Sequence, residues 1–257
     1  MLAIIGGTGL TRLSSLAVAH REVVRTPYGE PSAALVFGQI GGRDAVFLAR
    51  HGHGHTIPPH RVNYRANLWA LKQRGATSIL AVASVGSISG HAPGALVLPH
   101  QLIDYTSDRA QTFFDGGDQL VVHVDFTHPY APALRAACLA AAGRAGIAVA
   151  DGGIYGAVNG PRLETAAEID RMARDGATLV GMTGMPEAAL ARELAIDYAT
   201  IAVVVNHAAG RGDSAQAISL DGIVRTLEGG MERVRALLEH VAPLIADRDV
   251  DASAAQT

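Results

Sequence analysis

The stretch LARHGHGHTIPPH, residues 48–60, places Arg50 directly before His51 and follows the pair with His53, His55 and His60. In an extended chain His51, His53 and His55 would project to one side, a spacing that suits a transition-metal ion. Two features weigh against a metal: the segment offers no cysteine or carboxylate, and the Arg50 guanidinium would repel a dication. An oxyanion fits better, because the guanidinium presents fixed planar donors and the imidazole beside it adds a nitrogen whose charge can vary. No metal is expected, and Arg50 with His51 reads as a grip on an anion.

Three glycine-bearing turns could converge on the same anion. GGTGL (6–10) follows an apolar run and offers backbone N–H groups plus the Thr8 hydroxyl. ASVGSI (83–88) carries Ser84, and GMTGMPEAAL (181–190) sets Thr183 just before a helix start, where a hydroxyl caps the helix or helps hold an anion at its positive end. The ordinary alternatives are a tight turn for the first and a simple cap for the last. A dinucleotide would need a third glycine, which the run GTGLTR from Gly7 lacks, and the lysine of a P-loop is absent as well.

These groups need a frame. Short β-rich runs at 2–6, 33–37, 44–50, 78–86, 94–99, 154–160, 178–183 and 198–206 alternate with helical spacing at 62–73, 132–144, 164–174, 187–194 and 219–244. Gly75, Gly146 and Gly176 fall just after three of the helices as C-cap candidates. Several strands are apolar throughout, as in a sheet covered by helices on both faces. The pattern predicts an α/β fold: one domain over 1–245, with a twisted mixed β-sheet flanked by helices, and a tail at 246–257 expected to fray.

Composition narrows the function classes. With 257 residues, 49% of them hydrophobic, the chain can bury a sizeable core. A net charge of −3 gives no bulk attraction to nucleic acid or to an anionic membrane. The one cysteine, Cys138, lies in an alanine-rich helical stretch, which suits a reducing compartment; with no signal peptide and no run of eighteen apolar residues, a soluble cytoplasmic protein is expected. Two readings from other classes are a dinucleotide-dependent oxidoreductase using GGTGL and a metal-dependent hydrolase built on the histidine loop.

GGTGL, FLARHGHGHTIPPHRVNYRANLWALK, SVGSI, PGALVLPHQLIDYTSDR, GIYGAVNGPRLET and GMTGMPEAALARELAIDYATIAVVVN occur in register from residue 3 to about 240. Together they resemble the trimeric purine nucleoside phosphorylase family, most closely its 5′-methylthioadenosine and S-methyl-5′-thioinosine phosphorylase branch. The resemblance implies reversible phosphorolysis by a pentosyltransferase of purine salvage. Inorganic phosphate is then a co-substrate, no metal or organic cofactor is used, and the homotrimer places each active site near a neighbouring subunit. It implies phosphate ligation by Thr8, Arg50, His51, Thr183 and the backbone around Ser84. Met182 would pack beneath the ribose.

For the base, the resemblance assigns Glu164 to the N1–H edge and Asn206 to O6 and N7, the pair carried by 6-oxopurine enzymes; methylthioadenosine phosphorylases carry aspartate at the Asn206 position. An asparagine amide can donate to O6 and accept from N7–H, whereas a carboxylate would repel O6. The ordinary readings are a charge in a helix first turn for Glu164 and a strand-end turn residue for Asn206. Leu163 stands where phenylalanine is frequent, and Ala83 where the family carries threonine. Leu220 and Ile223 match positions that wrap an apolar 5′ substituent, and His123 matches a histidine lent by the neighbouring subunit. The expected substrate is S-methyl-5′-thioinosine, with 5′-methylthioadenosine or a general 6-oxopurine nucleoside as the alternatives.

Overall fold

The computed structural model describes residues 1–117 and 120–245, so the tail expected at 246–257 lies outside the described residues. In chain order the strands are β1 (Leu2–Gly6), β2 (Ala17–Glu22), β3 (Leu35–Ile40), β4 (Arg43–Ala49), β5 (Ser78–Ser87), β6 (Leu96–Leu98), β7 (Gln101–Asp104), β8 (Val149–Asp151), β9 (Ile154–Ala157), β10 (Leu179–Gly181) and β11 (Asp197–His207). The helices are α1 (Tyr64–Gln73), α2 (Pro132–Ala145), α3 (Ala166–Arg174), α4 (Gly184–Glu193) and α5 (Leu220–Val241). All eleven strands join one mixed sheet, the α/β architecture expected.

Apolar alternation explains the layers. Along β1, Ile4 faces the side packed by α2 and α5, with Cys138, Met231 and Val234, while Ala3 and Ile5 face Leu68 and Leu71 of α1 and Ala188 and Leu190 of α4. Both faces of the central strands are covered, so β1, β5 and β11 are apolar in consecutive positions. Each fully buried Leu or Ile contributes about 1.5–3 kcal/mol.

Helix ends follow their local chemistry. Asn63 Oδ1 accepts from the Ala66 N–H at 3.1 Å, so α1 begins at Tyr64. Gly146 closes α2 at φ 66°, in the left-handed region that glycine adopts without penalty. Thr165 and Glu168 form a reciprocal capping box at α3. Glu164 therefore precedes the helix, which corrects its reading as a first-turn charge. β2, β7 and β8, which the apolar pattern does not predict, are short or solvent-facing. GGTGL runs into a turn and then β2 with no helix after it, so the helix N-terminus a dinucleotide pyrophosphate needs is missing.

The sheet carries a built-in gap. One edge of β5 pairs with β11 along its whole length. The other edge pairs with β1 only from Ser78 to Ala81 and with β10 only at Gly86 and Ser87. Residues 82–85 on that edge have no strand partner, and the candidate site lies there.

Candidate active site

A cavity of about 690 Å³ opens over this gap. It is lined by the residues that the resemblance assigns to phosphate, Thr8, Arg50, His51, Ser84 and Thr183 (the anion end), and by those it assigns to the nucleoside, Leu163, Glu164, Met182 and Asn206 (the base end) with Leu220 and Ile223. Eleven of the twelve residues singled out from sequence therefore meet in one hollow. His123 is the exception: it does not line this cavity and sits in an exposed segment.

The anion end is assembled from strand ends. β1, β4 and β5 run parallel, so Gly7 and Thr8 and Arg50 and His51, just past the ends of β1 and β4, come beside Ser84 in the unpaired stretch of β5. The Arg50 N–H donates to the Gly6 carbonyl at 3.0 Å, tying two of these ends together. No side chain fits at Gly7, where a Cβ would sit 2.5 Å from the Val82 oxygen and 2.9 Å from Arg50 Nη1.

Arg50 is already ion-paired within the protein. Its side chain is 1% exposed, Nε and Nη2 donate to Glu187 Oε1 and Oε2 at 2.7 and 2.8 Å, and Nη1 donates to the Val82 carbonyl at 2.9 Å. The Tyr198 hydroxyl donates to the same carboxylate at 2.8 Å. Burial opposes the guanidinium charge, but the Glu187 carboxylate overrides it and the Arg50 pKa is raised. The bidentate pair fixes the guanidinium plane and offsets much of the charge the pocket could offer an anion, leaving unused N–H bonds for a ligand.

The histidine loop is a closed turn rather than an extended strand. The Ile57 N–H donates to the His51 carbonyl at 3.0 Å, and His51 Nδ1 meets the Ile57 carbonyl at 2.8 Å. Gly52, His55 and Gly54 hold positive φ, which makes the turn possible. The reading that sets His51, His53 and His55 on one side is thus overturned: the His51 and His55 rings lie 4.4 Å apart, while His53 lines a different hollow. Burial first, then Arg50, lowers the His51 pKa to about 4. Thr183 precedes α4 but makes no side-chain capping bond, so the cap reading does not account for its hydroxyl.

At the base end a bulge re-aims Asn206. The β11 register against β5 slips between Val204 and Asn206, turning Asn206 into the cavity while it remains within the strand. Its Nδ2 donates to the His207 carbonyl at 2.5 Å, which fixes the amide orientation and leaves one N–H and Oδ1 for a ligand. Arg162 is spent on Glu168 at 2.6 and 2.8 Å, and burial pushes the Glu164 carboxyl above its ordinary range. Gly160 has φ 62°, and a Cβ there would sit 2.3 Å from Met182 Sδ, so glycine lets the base loop close over that methionine.

Sequence reading missed Glu187 and Tyr198 as site components. A glutamate in the apolar run MPEAALA was the available signal, because an ionised carboxylate inside a packed helix needs a cation. It also missed Arg109, which donates to the Val158, Asn159 and Met185 carbonyls and to the Tyr64 hydroxyl, tying the segment that leads to Leu163 and Glu164 to the start of α4. Among the described residues no three His, Cys, Asp or Glu side chains cluster as metal ligands, and no helix is long and apolar enough to cross a membrane.

The model of the phosphorylase superfamily matches residues 1–243. The chain belongs to the phosphorylase superfamily. The nucleoside phosphorylases of this superfamily are pentosyltransferases, and the chain is an enzyme of that type. It is 52% identical over 240 residues, 93% of this chain and 97% of the relative, to a probable S-methyl-5′-thioinosine phosphorylase of Pseudomonas syringae pv. tomato. It is 42% identical over 250 residues to the 6-oxopurine nucleoside phosphorylase of Pyrococcus furiosus, with 95% and 92% of the two chains covered. Among solved superfamily structures, methylthioadenosine phosphorylase from Schistosoma mansoni in complex with adenine superposes with a TM-score of 0.90 at 33% identity, covering 96% of this chain and 92% of that one.

Proposed function

We propose that this enzyme catalyses phosphorolysis of S-methyl-5′-thioinosine to hypoxanthine and 5-methylthioribose 1-phosphate, a purine-salvage reaction. One observation carries the reading: a single cavity joins an anion end of hydroxyls, backbone and Arg50 to a base end that offers one amide N–H, one amide oxygen and a carboxylate. Relatives named as S-methyl-5′-thioinosine and 6-oxopurine nucleoside phosphorylases support it.

In this mechanism a phosphate oxygen attacks C1′ as the bond from C1′ to the purine breaks. The bond electrons pass to the purine, whose N7 takes up a proton from water, and the hydrogen of the attacking hydrogen phosphate is released to water from the sugar 1-phosphate, so the exchange balances. Thr8, Arg50, Ser84 and Thr183 hold the phosphate beneath C1′, so position and nearby negative charge stabilise the sugar cation. Asn206 Oδ1 accepts from N7–H and its free amide hydrogen donates to O6, while Glu164 accepts from N1–H. Met182 packs beneath the ribose and Leu163 against the base. Leu220 and Ile223 bury the methylthio group, worth about 1–3 kcal/mol. Phosphate-dependent release of hypoxanthine with sugar 1-phosphate as the co-product tests the reaction; free sugar formed without phosphate contradicts it.

Glu164 serves N1–H only when ionised. Since burial raises its pKa, kcat/KM for the nucleoside is expected to fall on the acid side at a pH above the ordinary glutamate range, because protonation removes the acceptor. Glu164→Gln should lower the plateau and abolish that acid limb; a limb that persists unchanged in the variant assigns it to another group. Phosphate is the only co-substrate in this proposal, so exhaustive chelation should leave turnover intact.

The working unit in this proposal is a homotrimer in the cytoplasm. Leu163 and Leu220 at the cavity mouth are 39% and 68% exposed, and the segment carrying His123 exposes Leu120 and Val121 at 82% and 76%. A neighbouring copy that lends His123 would cover both surfaces. Light scattering should give a trimer, and mixing a His123 variant with an Arg50 variant, each inactive, should restore part of the activity; a fully active monomer contradicts this. The buried Cys138 thiol, its pKa pushed up to about 12 by burial, suits a reducing compartment.

A further inference from the structure

His51 holds a fixed tautomer with a chemical consequence for the anion. The Ile57 carbonyl can only accept, so the His51 nitrogen 2.8 Å from it, Nδ1, carries the hydrogen. In the neutral ring Nε2 is then a lone-pair acceptor, and among the described residues none donates to it. The other side-chain groups at the anion end behave differently. Arg50 donates only, and the hydroxyls of Thr8, Ser84 and Thr183 both donate and accept, so they serve a protonated and an unprotonated anion alike.

We propose that His51 Nε2 accepts the P–O–H hydrogen of hydrogen phosphate, making His51 the residue that selects phosphate over tetrahedral dianions that carry no hydrogen. Sulfate has the size and charge of hydrogen phosphate but lacks that hydrogen at neutral pH, so its oxygen would meet the Nε2 lone pair with nothing between them. Burial, then the Arg50 charge and to a smaller degree His55 against its face keep the ring neutral, and its pKa near 4 maintains the acceptor across the physiological range. The hydrogen bond also orients the phosphate: with the protonated oxygen on His51, an unprotonated oxygen is left to face C1′. This inference rests on the phosphorolysis reading and deepens it.

The test measures KM for phosphate and Ki for two dianions without hydrogen, sulfate and monofluorophosphate, on the intact protein and on His51→Gln, whose amide can donate. The native protein is expected to hold each at least about tenfold more weakly than phosphate, and the variant to shrink that ratio about tenfold through weaker phosphate and tighter sulfate binding. If turnover of the variant is too slow, calorimetric titration with phosphate and sulfate gives the same ratio. Sulfate or monofluorophosphate binding the native protein as tightly as phosphate overturns the inference, as does a ratio that His51→Gln leaves unmoved. Failure of the phosphorolysis reading looks different: the native protein then releases no base in response to phosphate.

Discussion

Glu187→Ala is expected to destabilise the protein by about 3–5 kcal/mol, because it leaves the fully buried Arg50 guanidinium without its counter-charge. The Tyr198 hydroxyl loses its acceptor in the same step. Chemical denaturation of the variant reads the loss directly. Its phosphate KM should rise as well, since the Val82 carbonyl alone then holds the guanidinium and the bidentate clamp that fixed its plane is gone. The double change Arg50→Met with Glu187→Leu separates the two effects: filling the space with apolar side chains should recover most of the stability and none of the phosphate-dependent turnover. A Glu187→Ala protein as stable as the parent would mean that water or another group neutralises Arg50.

That pair marks where the sequence stopped being legible. Arg50 was visible because it follows an apolar strand beside a histidine, and position alone suggested an anion. Its partner lies 137 residues away on α4, and no local pattern couples the two. The same limit explains β2, β7 and β8, whose pairing depends on neighbours rather than on their own apolar content. The long apolar strands were readable because they are buried on both faces, and the glycine helix ends because their φ values demand glycine. In the histidine loop, alternation implied an extended strand, and the glycines that permit a closed turn carried the opposite information. Glu164 and Asn206 could be paired through resemblance alone, since the capping box that sets Glu164 before its helix is local while the bulge that turns Asn206 depends on pairing with β5, and no pattern links the two.

Asn206→Asp is expected to lower kcat/KM for S-methyl-5′-thioinosine by about 10- to 150-fold, the equivalent of about 1.5–3 kcal/mol for replacing a hydrogen bond to O6 with a charge repulsion. The change removes the N–H that would meet O6 and sets a carboxylate oxygen against the His207 carbonyl that Nδ2 now serves. Preference should move toward 5′-methylthioadenosine, whose 6-amino group donates. Absolute activity on it should stay low, because Glu164 still faces an N1 that carries no hydrogen. Parallel kinetics on the two nucleosides check the shift; an unchanged ratio would remove Asn206 from base recognition.

The protein is, at its centre, a phosphorylase whose base end is proposed to read a 6-oxopurine and whose sugar end is proposed to bury a methylthio group. Initial rates on S-methyl-5′-thioinosine, 5′-methylthioadenosine and inosine, measured at saturating phosphate and without it, test that pairing most directly. The cavity chemistry predicts phosphate-dependent cleavage in the order S-methyl-5′-thioinosine far ahead of the other two, because a mismatched buried polar edge discriminates more strongly than a missing apolar group. Faster cleavage of 5′-methylthioadenosine would contradict the assignment of Glu164 and Asn206.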